Sequence, residues 1–320
     1  MKAIRVREFG APDVMRLEEV ANLTPGAGEV VVQLSAVGVN PVETYIRSGM
    51  YARLPSLPFT PGSDGAGTIH EVGEGVTNCK VGDRVYLAGS LSGTYAEFAL
   101  CKATQVHKLP ANISFAEGAG VGVPFATAYR ALHQRAQTKP GETVLVHGAT
   151  GGVGIAAVQL AHAHGCRVIG TGGSRKGRAL AFAQGADEVL DHTSENYLDE
   201  AMRLTGGRGV EVILEMLANV NLARDLQILA ARGRVVIIGS RGRIEIDPRD
   251  AMSRDASVLG MSLWNADDEE MREIHENLVR GLADNALRPI IGAEMDLNDA
   301  AESHRQVLAG DSYGKIVLIP

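Results

Sequence analysis

The chain has 320 residues, is 45% hydrophobic and 22% charged, and carries a net charge of −7. That size and composition fit a globular protein of about two domains with a sizeable core, and the acidic balance disfavours nucleic acid as a primary partner. Three scattered cysteines (Cys79, Cys101, Cys166) without a CxxC pair exclude a disulfide framework, and neither an apolar leader nor a membrane-length apolar run occurs, so a cytoplasmic protein with no membrane partner is expected.

The first third reads as short strands broken by turns. GEVVVQLSAVGV (28–39) is Val-rich and bounded by glycine, a strand signal. GVNPVETYIRSGMY (38–51) follows as a polar turn that holds Tyr45 and Tyr51, two of seven tyrosines. The runs 58–76, 81–89 and 93–110 repeat the pattern of short apolar stretches and glycines, which implies a barrel-like or sandwich-like β unit.

The rhythm changes in the middle. ETVLVHG (142–148) is a strand ending in glycine, GVGIAAVQLAHAHG (152–165) a buried helix, and CRVIGTGG (166–173) the next strand. Helix-like 175–185, strand-like 187–192 and 209–217, helix-like 221–230 and strand-like 233–240 continue the alternation. Val- and Ile-rich runs without polar alternation, separated by helices, predict a doubly wound parallel sheet buried on both faces, hence an α/β fold. The tail adds an apolar strand (256–264), an acidic-start helix (267–285), a segment at 298–310 and a closing strand (314–320).

Chemistry concentrates in VLVHGATGGVG (144–154), where four glycines lie between a strand and a helix. Glycine lets backbone N–H groups approach phosphate oxygens, and the helix N-terminus adds orphan donors and partial positive charge. The spacing is GxxGxxG, and its place inside a βαβ unit gives it meaning. NAD sites carry an acid about 20 residues beyond such a motif to hold the ribose hydroxyls. Here that zone is GTGGSRKGR (170–178), with Arg175, Lys176 and Arg178 and no acid, which points to a 2′-phosphate and NADPH. Basic residues at a helix start are unfavourable for the helix itself, which strengthens the functional reading. No His pairs with Cys or Glu at metal-ligand spacing, AHAH (161–164) sends its two rings to different helix faces, and no nucleophile elbow occurs, so no metal is expected.

GVNPVETYIRSGMY, LPFTPGSDGAG, GTYAEFA, VLVHGATGGVG, LEMLANVNL and GSRGRIEIDPRD together resemble the zeta-crystallin-type NADPH:quinone oxidoreductases, the zinc-free branch of the medium-chain dehydrogenase/reductase superfamily, over essentially the whole chain. The resemblance implies a GroES-like domain at 1–121, a Rossmann NADPH-binding domain at 122–260, and a C-terminal segment, 261–320, that returns to the first domain, with the cofactor in a cleft between the domains. It implies that Thr150, Gly151, Gly152 and Val153 hold the pyrophosphate. Gly173, Lys176 and His192, with Arg175, surround the adenosine end. Asn221 also contacts the cofactor, Ile238, Gly239, Ser240 and Arg241 pass beside the nicotinamide half, and Met261, Ser262 and Leu263 line its far side. Asn40 and Tyr45 project toward the nicotinamide as donors, Tyr51 offers an aromatic wall to a flat quinone, and Glu43 and Arg47 form a local ion pair. Relatives assemble as homodimers or homotetramers. Within this reading the acceptor is a quinone or a related enone or enoyl thioester; a relative's RNA-binding or structural lens role is the different-class alternative.

Overall fold

Residues 1–309 and 313–320 are described by the computed structural model. In chain order come β1 (Lys2–Val6), β2 (Met15–Glu19), β3 (Glu29–Gly38), α1 (Pro41–Arg47), β4 (Asp64–Val72), β5 (Arg84–Ala88), β6 (Phe98–Lys102), β7 (Val106–Lys108) and α2 (Phe115–Gly118). Then follow α3 (Gly122–Tyr129), β8 (Thr143–Val146), α4 (Gly152–Ala163), β9 (Arg167–Gly172), α5 (Arg175–Ala183), β10 (Glu188–Asp191), α6 (Tyr197–Leu204), β11 (Val210–Glu215), α7 (Ala218–Ile228), β12 (Leu229–Ile237), α8 (Pro248–Met252), β13 (Ser257–Gly260) and α9 (Asp268–Ala283). β14 (Ile291–Asp296), α10 (Ala300–Gln306) and β15 (Lys315–Ile319) close the chain. The segment expected at 298–310 is α10, and its last residue, Gly310, lies outside the described residues.

By contacts the chain divides into two units, Met1–Val123 with Val279–Pro320, and Pro124–Leu278. The first is built on a mixed sheet in the order β14-β15-β3-β4-β5-β7, with β6 on β3. The long strand β3 sends Val30, Val32 and Leu34 into a core shared with Ile69, Val85, Leu87, Ile316 and Leu318. The C-terminal strand β15 runs antiparallel to β3, pairing Val317 with Gly38. GVNPVETYIRSGMY is not a polar turn: Pro41–Arg47 form a helix. Pro at the first helical position and extended Asn40 before it start α1, and the Glu43 carboxylate three residues on accepts from the Asn40 N–H at 2.9 Å.

The second unit is a six-stranded parallel sheet, β10-β9-β8-β11-β12-β13. The order reverses between β8 and β11, so the chain leaves the sheet in opposite directions there, the place where such sheets open a crevice at the strands' carboxyl ends. Leu145, Ile169, Ile213 and Val235 from four strands meet Leu198, Leu222 and Leu226 of the covering helices. The expected boundary at 260 gives way to one inside α9, at Leu278/Val279. The first turns of α9 stay with the second unit because Glu270 pairs with buried Arg130 at 2.6 Å, while Glu273 accepts from Tyr129 and from Gln134, each at 3.1 Å.

Candidate active site

In the second unit, β8 runs into the glycine turn and α4. Gly148 adopts φ +59°, a left-handed conformation that favours glycine. Its N–H donates to Thr171 Oγ1 at 3.1 Å, and Ala149 N–H to Thr171 O at 2.9 Å, which ties the turn to β9. A Cβ on Gly154 would stand 2.1 Å from Gly148 O, so α4 can pack this closely on the turn only through glycine. A Cβ on Gly151 would meet nothing nearer than Gly148 O at 3.8 Å, so the turn is open on that side. The N–H groups of Gly152 and Val153 fall in the first turn of α4, where a helix has no carbonyls for them. Thr150 is anchored by its methyl: a Cβ built on Gly172 or Gly177 would come within 2.8 or 2.9 Å of it. Open space, orphan donors and a positive helix end fit a pyrophosphate.

Beyond β9, Ser174 caps α5 by accepting from Gly177 N–H at 3.0 Å. Arg175 and Lys176 lie exposed on the first turn. Arg178 is spent locally: it pairs with Asp191 at 2.7 Å and donates to Gly172 O and Gly173 O. Asp191, at the end of β10, is thereby answered by Arg178. Gly173 faces His192, whose Nε2 would lie 3.0 Å from a Cβ there.

The loops after β11, β12 and β13 end at the same edge of the parallel sheet. Ile238 N–H donates to Glu215 O and Ala218 N–H to Gly239 O, each at 2.9 Å; Arg241 N–H donates to Asn219 Oδ1 at 2.7 Å, and Met261 N–H to Ile237 O at 3.0 Å. A Cβ on Gly239 would lie 2.4 Å from Met216 O, so the two loops cross in contact. The structure thus brings Thr150–Val153, Gly173–Lys176, His192, Asn221, Ile238–Arg241 and Met261–Leu263 to the carboxyl ends of one set of strands.

In the first unit, the expected role of Asn40 is corrected. Asn40 is buried, and its amide hydrogens go to Asp64 Oδ2 at 2.9 Å and Glu43 Oε1 at 3.2 Å. Its Oδ1 accepts from Lys315 Nζ at 2.6 Å, and Lys315 also bonds Asp64 at 2.8 Å. A side chain with every polar group committed inside a dry network cannot also serve as the donor expected at the nicotinamide. The expected Glu43–Arg47 ion pair is replaced as well. Glu43 accepts from Asn40 N–H, from Ser63 N–H and from Tyr95 OH at 2.7 Å, while Arg47 donates to Gly10 O. The cause is burial: Glu43 is 3% exposed, and fixed donors around it satisfy its oxygens. Tyr45 and Tyr51 are half-buried, and Tyr45 lines a depression with Thr44, Arg47, Met50 and Leu308.

Two family profiles match the chain, "Alcohol dehydrogenase GroES-like domain" over residues 26–111 and "Zinc-binding dehydrogenase" over 152–280. A quinone oxidoreductase of Homo sapiens is 46% identical over 321 residues, covering 100% of this chain and 98% of that protein. The chain belongs to the quinone oxidoreductase family. Among solved structures, an Escherichia coli quinone oxidoreductase complexed with NADPH is similar at a TM-score of 0.91 and 31% identity, with 100% of both chains covered. An NAD-dependent alcohol dehydrogenase is similar at a TM-score of 0.93 and 29% identity, again over 100% of both. The family's fold, a GroES-like β unit and a Rossmann-type sheet, is the one expected from the sequence.

One family profile bears zinc in its description, so the donor groups of this family member matter. Its three cysteines are free, and burial raises each thiol, Cys101 to about 12 and Cys166 to about 11. Among the described residues no cysteine belongs to a group of three converging donors. Among the described residues, one group of three His, Cys, Asp or Glu donors converges within 4.8 Å: His147, Glu215 and Asp225, all buried. Sequence reasoning missed it, because 68 and 78 residues separate His147 from its partners. His147 Nε2 lies 2.8 Å from Asp225 Oδ1 and 3.4 Å from Glu215 Oε2. A tetrahedral zinc with bonds near 2.0 Å keeps its ligand atoms roughly 3.3 Å apart. The 2.8 Å contact is instead a hydrogen-bond distance between the ring nitrogen and the carboxyl group. Burial holds His147 below its ordinary value, consistent with a neutral ring.

Proposed function

We propose that this chain is an NADPH-dependent quinone reductase that works without a metal. The observation that carries the cofactor half is the turn beyond β9: Arg175 and Lys176 stand exposed at the start of α5, and the nearby Asp191 is tied to Arg178. The E. coli relative complexed with NADPH supports the same reading. The backbone of Thr150–Val153 at the N-terminus of α4 holds the pyrophosphate. Arg175 and Lys176 take the 2′-phosphate through charge-assisted hydrogen bonds. Gly173 and His192 flank the adenosine end. Asn221, Ile238–Arg241 and Met261–Leu263 line the nicotinamide half. Bound there, NADPH supplies the hydride that, with a proton from solvent, converts a quinone to its hydroquinone.

From the first unit we assign Tyr45 the acceptor oxygen. Its hydroxyl donates one hydrogen bond to charge developing there, while Tyr51 offers a flat apolar face. Asn40 serves indirectly, by holding the start of the helix that carries Tyr45. Among the described residues no helix is long and apolar enough to cross a membrane, and we place the protein in the cytoplasm. A steady-state scan of NADPH oxidation against quinones, enones and enoyl thioesters tests the reading. Turnover with quinones is expected. Turnover confined to enones would reassign the acceptor, and no turnover at all, with salt-sensitive RNA binding, would defeat the enzymatic reading.

A further inference from the structure

The buried acids at the sheet's switch point present a specific deficit. Glu215 Oε1 is fully used: it accepts from Leu217 N–H and from Asn221 Nδ2 at 3.2 Å, which fixes the loop between β11 and α7. Asp225 Oδ1 is paired with His147 Nε2 at 2.8 Å. The remaining oxygens, Glu215 Oε2 and Asp225 Oδ2, are buried without a donor among the described residues. Both side chains are 0% exposed, and the two carboxyl groups converge, an oxygen of each lying within 4.8 Å of one from the other. Two ionised carboxylates facing one another in a dry site are strongly disfavoured, and each orphan oxygen lacks only what a single hydrogen would supply.

We propose that Glu215 and Asp225 share one proton, in an Oε2–H–Oδ2 hydrogen bond, and that this bond positions the Leu217–Asn221 loop for the cofactor. The proposal rests on the reading that NADPH lies against that loop. Glu215 is a positioning residue here: it acts through Asn221. Burial pushes both carboxyl groups up, in keeping with a proton retained near neutral pH. The other ionisable groups facing the pair are few. His147 Nε2 pairs with Asp225 Oδ1. Arg224, on α7, stacks over the Tyr197 ring at 5.1 Å and lowers the Asp225 carboxyl; Tyr197 itself, 6.1 Å from the His147 ring, is raised to about 12 by burial and stays protonated; burial and then the charge of His147 lower His192. None of them supplies a hydrogen to the two orphan oxygens.

Loss of the shared proton at alkaline pH turns the pair into facing charges and releases the loop. Only the protonated fraction then binds well, so the apparent Kd for NADPH rises by about tenfold per pH unit above the transition. The test is a fluorescence titration of the purified enzyme with NADPH, without acceptor, across a pH series. Glu215→Gln keeps an acceptor for Leu217 and Asn221 and gives Asp225 a permanent donor; Asp225→Asn does the converse. Both variants are expected to bind with a Kd that is flat across the alkaline range where the wild type weakens. An alkaline rise that persists unchanged in both would overturn the proposal. A second readout needs no cofactor: the infrared spectrum of the apoenzyme should show a protonated-carboxyl band at neutral pH that disappears at high pH and is missing from Glu215→Gln. Absence of that band in the wild type, or about one bound divalent metal per chain by elemental analysis, would overturn the proposal even if NADPH does not bind. Failure of NADPH to bind with the band present would instead strike the functional reading.

Discussion

Tyr45 and Asn40 sit five residues apart, yet Asn40 is buried while Tyr45 is half-buried. The local pattern made both legible as polar groups on one short stretch. It could not reveal that Asn40 is enclosed by Asp64 and Lys315, 24 and 275 residues away, because a network closed by β15 against β3 exists only in the fold. For Tyr45 the expected effect is modest. A hydroquinone oxyanion is a weak base, so a donor helps without being an obligatory acid. One neutral hydrogen bond is worth about 1 kcal/mol, and Tyr45→Phe should lower kcat/KM by about 3- to 30-fold. Tyr45→Ala should cost more, since it removes the wall too. A loss above roughly a thousandfold for Tyr45→Phe would make it a general acid, and no change in either variant would remove it from the site. The buried histidines set a pH dependence. Burial lowers His107 and His133 to about 4 and His304 to about 3, from an ordinary 6.5. His304 Nε2 lies 3.1 Å from Tyr95 OH, which donates onward to Glu43, so the ring donates through Nε2 and stays neutral. Below pH 6.5 the unfolded chain binds protons that the folded chain refuses, so these groups subtract stability as pH falls toward 4. Thermal unfolding of His133→Gln should therefore lose less Tm than the wild type between those pH values; an equal loss would contradict the assignment.

At the level of elements, most strands and helices of the nucleotide-binding unit were legible because buried parallel strands and apolar helices leave uninterrupted Val, Ile and Ala runs. α1 was not: Pro, Asn and Gly in GVNPVETYIRSGMY are turn residues, and the same Asn-Pro start also opens a helix. α6 escaped because its amphipathic turns follow the polar DHTSEN run, and β14 because IGAEMD alternates too briefly to register. The exposed first turn of α5 is where we assign the cofactor preference. Two charge-assisted contacts to a 2′-phosphate correspond to roughly one to three orders of magnitude in kcat/KM for NADPH over NADH. Lys176→Ala or Arg175→Ala should erode that ratio while leaving NADH kinetics nearly unchanged, as measured by paired steady-state assays. Equal losses with both cofactors would make the residues structural.

For the whole molecule, one edge of the parallel sheet is open to assembly. β13 pairs with β12 on one side, and its outer residues include Val258, 42% exposed, with Trp264 at 50% close after it. Such an edge invites a second strand. A two-fold pairing of β13 with its copy would extend the sheet across a homodimer, and light scattering at micromolar concentration should return twice the chain mass, whereas a monomer mass would remove the idea. The chemistry assigned to this molecule needs NADPH, a quinone and no metal: among the described residues no cysteine joins a group of three converging donors, and the His147–Glu215–Asp225 cluster has hydrogen-bond rather than zinc spacing. The most direct test is the rate of NADPH oxidation by a quinone before and after exhaustive treatment with a strong chelator. Full retention of kcat/KM is the predicted result; activity lost to the chelator and restored by zinc would contradict the account.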